Sequence, residues 1–327
     1  MRRQRIWITW ENQRRNRTLS RALDAELFQF DIRLNRLVRY SVALFRTVLT
    51  FVRTKPSMIF AQNPSLLLAL LAVNYGRAFG IPVVVDSHNA GLFPSNGSNR
   101  LLTRVADHVI KRATLTLVTN DGLKKHVDQI GGTAFVLPDP LPIFDVAYQD
   151  RHVPLRGGYN VLFICTYAPD EPYLEVLKAA RELNDSVVIY MTGHSKGRVS
   201  PIPKNVVLTG YLPDDEYIQL LHSVQIVIDL TSREDCLVCG AYEAVGAEKP
   251  LILSNTKALR DYFYKGALYV DNTASDLVTK INESISKLDK LRDEVKELKN
   301  EIMGSWMRRK LLLENMLNNM NHDDGST

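Results

Sequence analysis

The stretch Gln225–Asn255, QIVIDLTSREDCLVCGAYEAVGAEKPLILSN, decides how the rest of the chain is read. QIVIDLT is a short run rich in Ile and Val, the pattern of a strand buried on both faces. A polar turn leads into a helix around Gly240–Ala247, and Pro250 opens a second apolar run, PLILSN. Strand, helix and strand at this spacing form a crossover that leaves the two strands parallel.

The same alternation extends both ways. Downstream lie ALYVDN as a strand, a long polar helix over Thr273–Leu298, a break at Gly304 and a helix over Ser305–Asn318. Upstream lie YNVLFICTY, SVVIYMTG and VVLTGYLP as strands, with helices over EPYLEVLKAARELN and DEYIQLLHSV. The stretch Ala147–Asn160, with its Pro and Gly pair, reads as an interdomain linker. Before it the pattern recurs: strand RIWITW at Arg5–Trp10, helix near Arg17–Phe28, helix over Leu34–Val52, strand SMIFAQ and helix over Ser65–Phe79. Strand IPVVVDSH, a helix over Asn99–Ala113 and the short strands TLTLVTN and TAFVLPDP complete it. The expected architecture is α/β, two Rossmann-like doubly wound parallel-sheet domains facing a cleft. The expected boundaries are 1–150, 151–302, a returning helix at 303–320 and a disordered tail at 321–327.

Composition fits. The chain has 327 residues, 45% hydrophobic and 24% charged, so two domains are the natural division. Modest Gly and Pro exclude collagen and wholesale disorder, and three cysteines point to a reducing compartment. The longest strongly apolar run, Ser65–Val73, falls far short of the ~20 residues that span a bilayer. A cytoplasmic protein is expected, peripheral on the inner face of the plasma membrane if it meets lipid. Charge is uneven: residues 1–150 hold 20 Lys and Arg against 11 Asp and Glu, and the remainder 21 against 25. No acidic residue falls between Asp31 and Asp86. With one apolar stripe of Leu34–Val52 facing inward, Arg33, Arg36, Arg39, Arg46 and Arg53 would be left at the helix ends and outer face, to an anionic membrane surface or merely to solvent. No RNA- or DNA-binding motif accompanies the basic half, so nucleic acid is not an expected partner.

The functional information sits in DCLVCGAYEAVGAEKP, Asp235–Pro250. A helix starting near Cys239–Gly240 offers first-turn amides and a positive dipole end to an anion. Gly240 would allow close backbone approach to a ligand. Glu243 lies one turn in, where a carboxylate can accept hydroxyl hydrogen bonds. The alternative is that Asp235 and Glu243 are merely solvated acids near a helix start. Cys236-x-x-Cys239 is formally a metal or redox spacing, but further ligands at similar spacing are lacking.

This stretch resembles the donor-site motif of the retaining group 1 glycosyltransferases (family 4-like) with the GT-B fold. Glu243-Ala244 and Lys249-Pro250 match its E-A and K-P pairs, and seven residues separate Asp235 from Glu243, as in the family's acid pair. TGYLPDDEYIQLLHSVQIVIDLTS upstream and VLPDP at Val136–Pro140 are similar to further family segments, and Trp306 lies in a helix like the one that crosses back. The resemblance implies a UDP- or GDP-sugar as co-substrate, no cofactor and no metal. It places Glu243 on the nucleotide ribose, with Cys239, Gly240, Gly210, Tyr211, Leu212, Thr166 and Arg233 about the donor. Asp235 and His88, which follows the strand IPVVVDS, would frame the transferring sugar. The acceptor would be a glycan or lipid-linked, in cell-envelope or polysaccharide assembly. Alternatives are a sugar-nucleotide epimerase of similar fold, a transferase-like protein without catalysis and, from the basic first half, a nucleic-acid-binding protein.

The chain departs from the family where a leaving diphosphate needs charge. The family carries an Arg and a Lys after the first strand of its second domain; here the loop reads Thr166-Tyr167-Ala168-Pro169-Asp170-Glu171-Pro172. Arg233, Lys196, Arg198 and Arg260 are the candidate replacements. Asp235 also stands where the family has a longer Glu, and Cys236-Leu237-Val238 replaces Gly-Phe-Gly.

Overall fold

A computed structural model describes residues 4–63, 65–145 and 153–320. The centre of the expected linker, the boundary at 150/151 and the tail 321–327 lie outside these residues. The chain divides into two compact units, Met1–Asp139 with Ser305–Thr327, and Pro140–Gly304.

In the first unit, β1 (Arg5–Thr9), β2 (Ala25–Gln29), β3 (Met58–Asn63), β4 (Val83–Ser87), β5 (Leu115–Val118) and β6 (Ala134–Val136) form one parallel sheet. Its order is β2-β1-β3-β4-β5-β6. Both faces are covered, which is why the strands carry apolar residues at consecutive positions. Ile6 and Ile8 pack towards α2 (Arg36–Thr54) and α3 (Leu66–Phe79). Trp7 packs with Leu19 and Leu23 of the α1 segment (helix Arg14–Ala22) and with Leu313 and Leu317. The helices α4 (Asn89–Leu92), α5 (Arg100–Arg112) and α6 (Asp121–Ile130) complete the unit.

Three expectations change here. The helix expected over Arg17–Phe28 ends at Ala22; Asp24 takes a left-handed conformation (φ 51°) and the chain returns as β2. Within β2, Ala25 and Leu27 serve one face of the sheet and Phe28 the other, a two-residue period hidden behind a helical-looking composition. In α2 the inward face is Ala43, Thr47 and Phe51, whereas Leu37, Val38, Phe45 and Val52 are exposed. The expected inward stripe therefore points largely outward.

The third change is at Gly304, where no break occurs.

The second unit holds β7 (Tyr159–Phe163), β8 (Val187–Thr192), β9 (Val206–Gly210), β10 (Ile226–Asp229), β11 (Leu251–Ser254) and β12 (Ala267–Val270). They are parallel in the order β12-β11-β10-β7-β8-β9. Helices α7 (Tyr173–Glu182) and α11 (Ala274–Ser286) cover the face of Val161, Phe163 and Ile228. The other face, with Leu162, Val227 and Leu253, takes α8 (Asp214–Ser223), α9 (Cys239–Gly246) and α10 (Lys257–Tyr262). The last helix, α12 (Leu288–Met320), is continuous through Gly304. Val295 and Leu298 are buried in the second unit's core, while Trp306 Nε1 donates to the Pro138 carbonyl (3.0 Å) in the first unit. Packing along its length outweighs the ~1 kcal/mol that one glycine costs a helix.

Candidate functional site

In a doubly wound sheet, ligands bind beyond the carboxyl ends of the strands where strand order reverses. In the second unit that point lies between β7 and β10. Three segments meet there: the loop Cys165–Pro172 after β7, the end of β10 at Asp229, and the start of α9.

Asp229 organises the β10 side. Its buried carboxyl group accepts hydrogen bonds from the Gly240 and Ala241 amides. Burial pushes this acid well above the ordinary carboxylate range; the two amides oppose the shift, and Glu171 and Glu243 add to it. The reason for glycine at 240 thus differs from the expected one. Gly240 is buried, and a Cβ there would lie 2.5 Å from Asp229 Oδ2 and 2.6 Å from Ile164 Cδ1. The close approach is to the protein's own carboxyl group.

Glu171 organises the β7 side. It accepts from the Thr166 amide (2.8 Å), the Thr166 hydroxyl (2.8 Å) and the Ala168 amide (2.9 Å). Thr166, expected at the donor, has both its amide and its hydroxyl committed to this carboxylate. Burial, and Glu171 beyond it, push the Cys165 thiol up, so it stays protonated. Gly193, which packs against this loop, is needed for contact: a Cβ would come within 2.2 Å of the Cys165 carbonyl oxygen.

Glu243 projects from the second turn of α9 and accepts a hydrogen bond from the Tyr217 hydroxyl of α8. Burial and the adjacent Glu243 hold the Tyr217 hydroxyl well above its usual range, so it remains a donor. Tyr217 was not singled out from the sequence; its only signal is its place in DEYIQLL, one turn into an amphipathic helix. Leu212 packs against the same core. Gly210 has φ 71° and its carbonyl accepts from the Gly193 amide (2.9 Å). Tyr211 is 72% exposed and its ring lies near parallel to that of His194. Asp235 and Cys236 are half-buried in the loop before α9, and Cys239 is exposed at its first turn. Among the described residues, no group of three or more His, Cys, Asp or Glu is placed to hold a metal ion.

The four candidate cations separate by their partners. Arg233 pairs with Asp170 (3.2 Å), and Arg260 donates to the Asn255 carbonyl (3.0 Å). Lys196 is exposed. Arg198 donates to the Tyr167 carbonyl (2.9 Å), which attaches a guanidinium to the β7 loop through an uncharged acceptor. Lys249 of the K-P pair is structural: its ammonium donates to the His222 carbonyl (2.6 Å), and burial lowers it to about 8.

In the first unit, Arg15 is not the solvated cation that its Arg-rich neighbourhood suggests. It is buried, donates to Asp86 through both Nε and Nη2, and reaches Asp139 (2.8 Å) and the Leu137 carbonyl (3.0 Å). His88 follows β4, with Nε2 3.8 Å from Asp86 Oδ2 and no hydrogen-bond partner. Burial lowers its pKa; Asp86 opposes the shift and Arg15 adds to it. A neutral imidazole with an unpaired nitrogen can give or take one hydrogen bond.

Comparison with solved structures places these features in a known architecture. A sucrose-phosphate synthase from Thermosynechococcus elongatus superposes with a TM-score of 0.78 at 12% identity, over 97% of this chain and 99% of that one. The chain has the GT-B fold. HepE from Anabaena, solved with UDP and glucose, gives a TM-score of 0.73 at 12% identity, over 96% and 98%. A putative UDP-N-acetylglucosamine 2-epimerase from Listeria monocytogenes gives 0.58 at 10%, over 90% and 91%. No family model matches the sequence, and no curated protein matches it. At these identities the likeness concerns the GT-B fold, and function has to be argued from the site.

Proposed function

We propose that the chain is a retaining, metal-independent glycosyltransferase of the family 4-like kind, taking a hexosyl group from a UDP- or GDP-sugar. The observation that carries this reading is Glu243, held by Tyr217 at the rim of the second unit's switch point, where a carboxylate can accept two ribose hydroxyls. Tyr211 offers an exposed ring for a base or sugar, and Leu212, Cys239 and Asp235 line the approach. Arg198, with Lys196 near it in sequence, supplies the charge that the leaving diphosphate needs. In the proposed step the acceptor hydroxyl bonds to the sugar's anomeric carbon on the face the diphosphate leaves. The carbon–oxygen bond breaks with its electrons going to the diphosphate, whose oxygen takes the acceptor's proton. The acceptor is a glycan or a lipid-linked sugar, in envelope or polysaccharide assembly, which suits a cytoplasmic protein at the inner face of the membrane. Support comes from the motif, from the position of Glu243 and from a neighbour crystallised with UDP.

One observation favours a second reading. Glu171 and Asp229 fill the loop and helix amides that would otherwise meet a diphosphate, which suits a protein that binds a sugar nucleotide without turning it over. Calorimetry with UDP, GDP and their glucose conjugates, followed by detection of free nucleotide, separates the cases. Binding with release of nucleotide supports the transferase, and binding without release supports the second reading. Conversion of the bound sugar to an epimer overturns both. Absence of binding by all four ligands overturns the nucleotide-sugar reading.

A further inference from the structure

Helix α2 presents an unusual outer face. It is 19 residues long, about 28 Å. Its buried residues Ala43, Thr47 and Phe51 fix the inward direction. At about 100° per residue, Val38, Phe45 and Val52 then fall on the opposite side, seven residues apart. They are exposed by 42%, 66% and 55%, with Leu37 near them at 82%. A ridge of large apolar side chains thus runs along the solvent side of the helix, where a globular protein ordinarily places polar groups.

Beside the ridge runs a second row, Arg39, Arg46 and Arg53, also every seventh residue. Each follows an apolar ridge residue by one position and lies on the same flank. Arg39 and Arg36 both approach the Tyr40 ring, at 5.0 and 6.0 Å from its centroid. The interval 32–85 contains no acid to neutralise them.

We infer that α2 lies in the interface of an anionic lipid leaflet, the Val38–Phe45–Val52 ridge among the acyl chains and Arg39, Arg46 and Arg53 at the phosphates. The arrangement is that of an in-plane amphipathic helix: an apolar face to insert, cations at its edge, and stems long enough to reach the headgroups. A second copy of the chain is the less favourable occupant. Joining two such faces sets arginine rows together with no carboxylate from this interval to separate them. A nucleic acid would use the arginines and leave the ridge in water. No helix among the described residues is long and apolar enough to cross a membrane, so the contact is with the surface. The inference stands independently of the donor assignment.

The test uses the full chain and phosphatidylcholine vesicles with and without phosphatidylglycerol, read by co-sedimentation. Binding is expected only with phosphatidylglycerol, and it weakens with salt because exposed charges are screened over ~10 Å at 0.1 M. Arg39→Gln, Arg46→Gln and Arg53→Gln together should reduce it about a hundredfold, about fivefold for each basic side chain. Phe45→Ser should reduce it about tenfold or more through lost apolar burial. In Phe45→Trp, brominated acyl chains should quench the added fluorescence. Equal binding to neutral vesicles, unchanged binding by the triple variant, or no quenching overturns the inference. So does a dimer, seen by sedimentation equilibrium without lipid, that Phe45→Ser dissociates.

Discussion

Asp229 and Gly240 are coupled: the carboxyl group at the end of β10 occupies the space a side chain at 240 would need, and it bonds the amide of the same glycine. The contact closes the switch point of the second sheet from within and fixes where α9 begins, hence where Glu243 stands one turn later.

Gly240→Ala should therefore destabilise the protein by about 1–3 kcal/mol, the range for overpacking a filled site. Urea denaturation followed by circular dichroism measures it. A midpoint equal to that of the parent would show that Asp229 and Ile164 yield without cost.

Glu243→Ala should weaken UDP-sugar binding by about 1.5–3 kcal/mol, the worth of hydrogen bonds to a charged acceptor. Tyr217→Phe, which removes only the group that orients Glu243, should cost about 0.5–1.5 kcal/mol. Titration calorimetry on both folded variants checks the order. A larger loss for Tyr217→Phe than for Glu243→Ala would assign the ligand contact to the tyrosine.

Arg15→Met should cost about 3–5 kcal/mol, since it strands the buried Asp86 carboxylate. Asp86 is lowered from its ordinary 3.8; burial resists the shift, and Arg15 carries it. A depressed folded value means that stability is present above the unfolded value and is lost as pH falls through the folded one. The gap between parent and variant should be widest near neutrality and narrow as pH falls, beginning above the ordinary carboxylate range, because burial without Arg15 raises Asp86 in the variant and it takes its proton first. Unfolding midpoints measured between pH 3 and 7 would expose a constant gap, which would rule out this linkage.

His88 has the opposite sense from a histidine gaining a partner. Its folded pKa lies below 6.5, so below that pH the unfolded chain binds the proton more readily and stability falls with acid. His88→Asn should flatten the decline in unfolding temperature from pH 7 to 5. An unchanged slope would assign the decline to other groups.

Much of this was legible in the chain itself. Consecutive Val, Ile and Leu in IPVVVDS, NVLFI and QIVID mark strands covered on both faces, and the intervening helical periods force parallel crossovers. The spacing of Asp235, Glu243 and Lys249-Pro250 located the strand–turn–helix that carries the candidate site. Local pattern sufficed because each depends on residues within one or two turns of each other.

What the sequence by itself determined was the alternation of elements, the two-unit division and the stretch bearing Glu243. Tertiary structure alone decided what each polar group faces. Arg15 is near acids 71 and 124 positions away, so an arginine in the basic run Arg14–Arg17 is a buried tie. Glu171 and Thr166, five residues apart, meet in a loop against which Gly193, just past the end of β8, packs without a side chain. In α2 the apolar period was visible, but which side it faced depended on the sheet beneath, whose fit to Ala43, Thr47 and Phe51 turned Phe45 outward. Helix periodicity specifies a stripe, and only packing against distant residues specifies its direction.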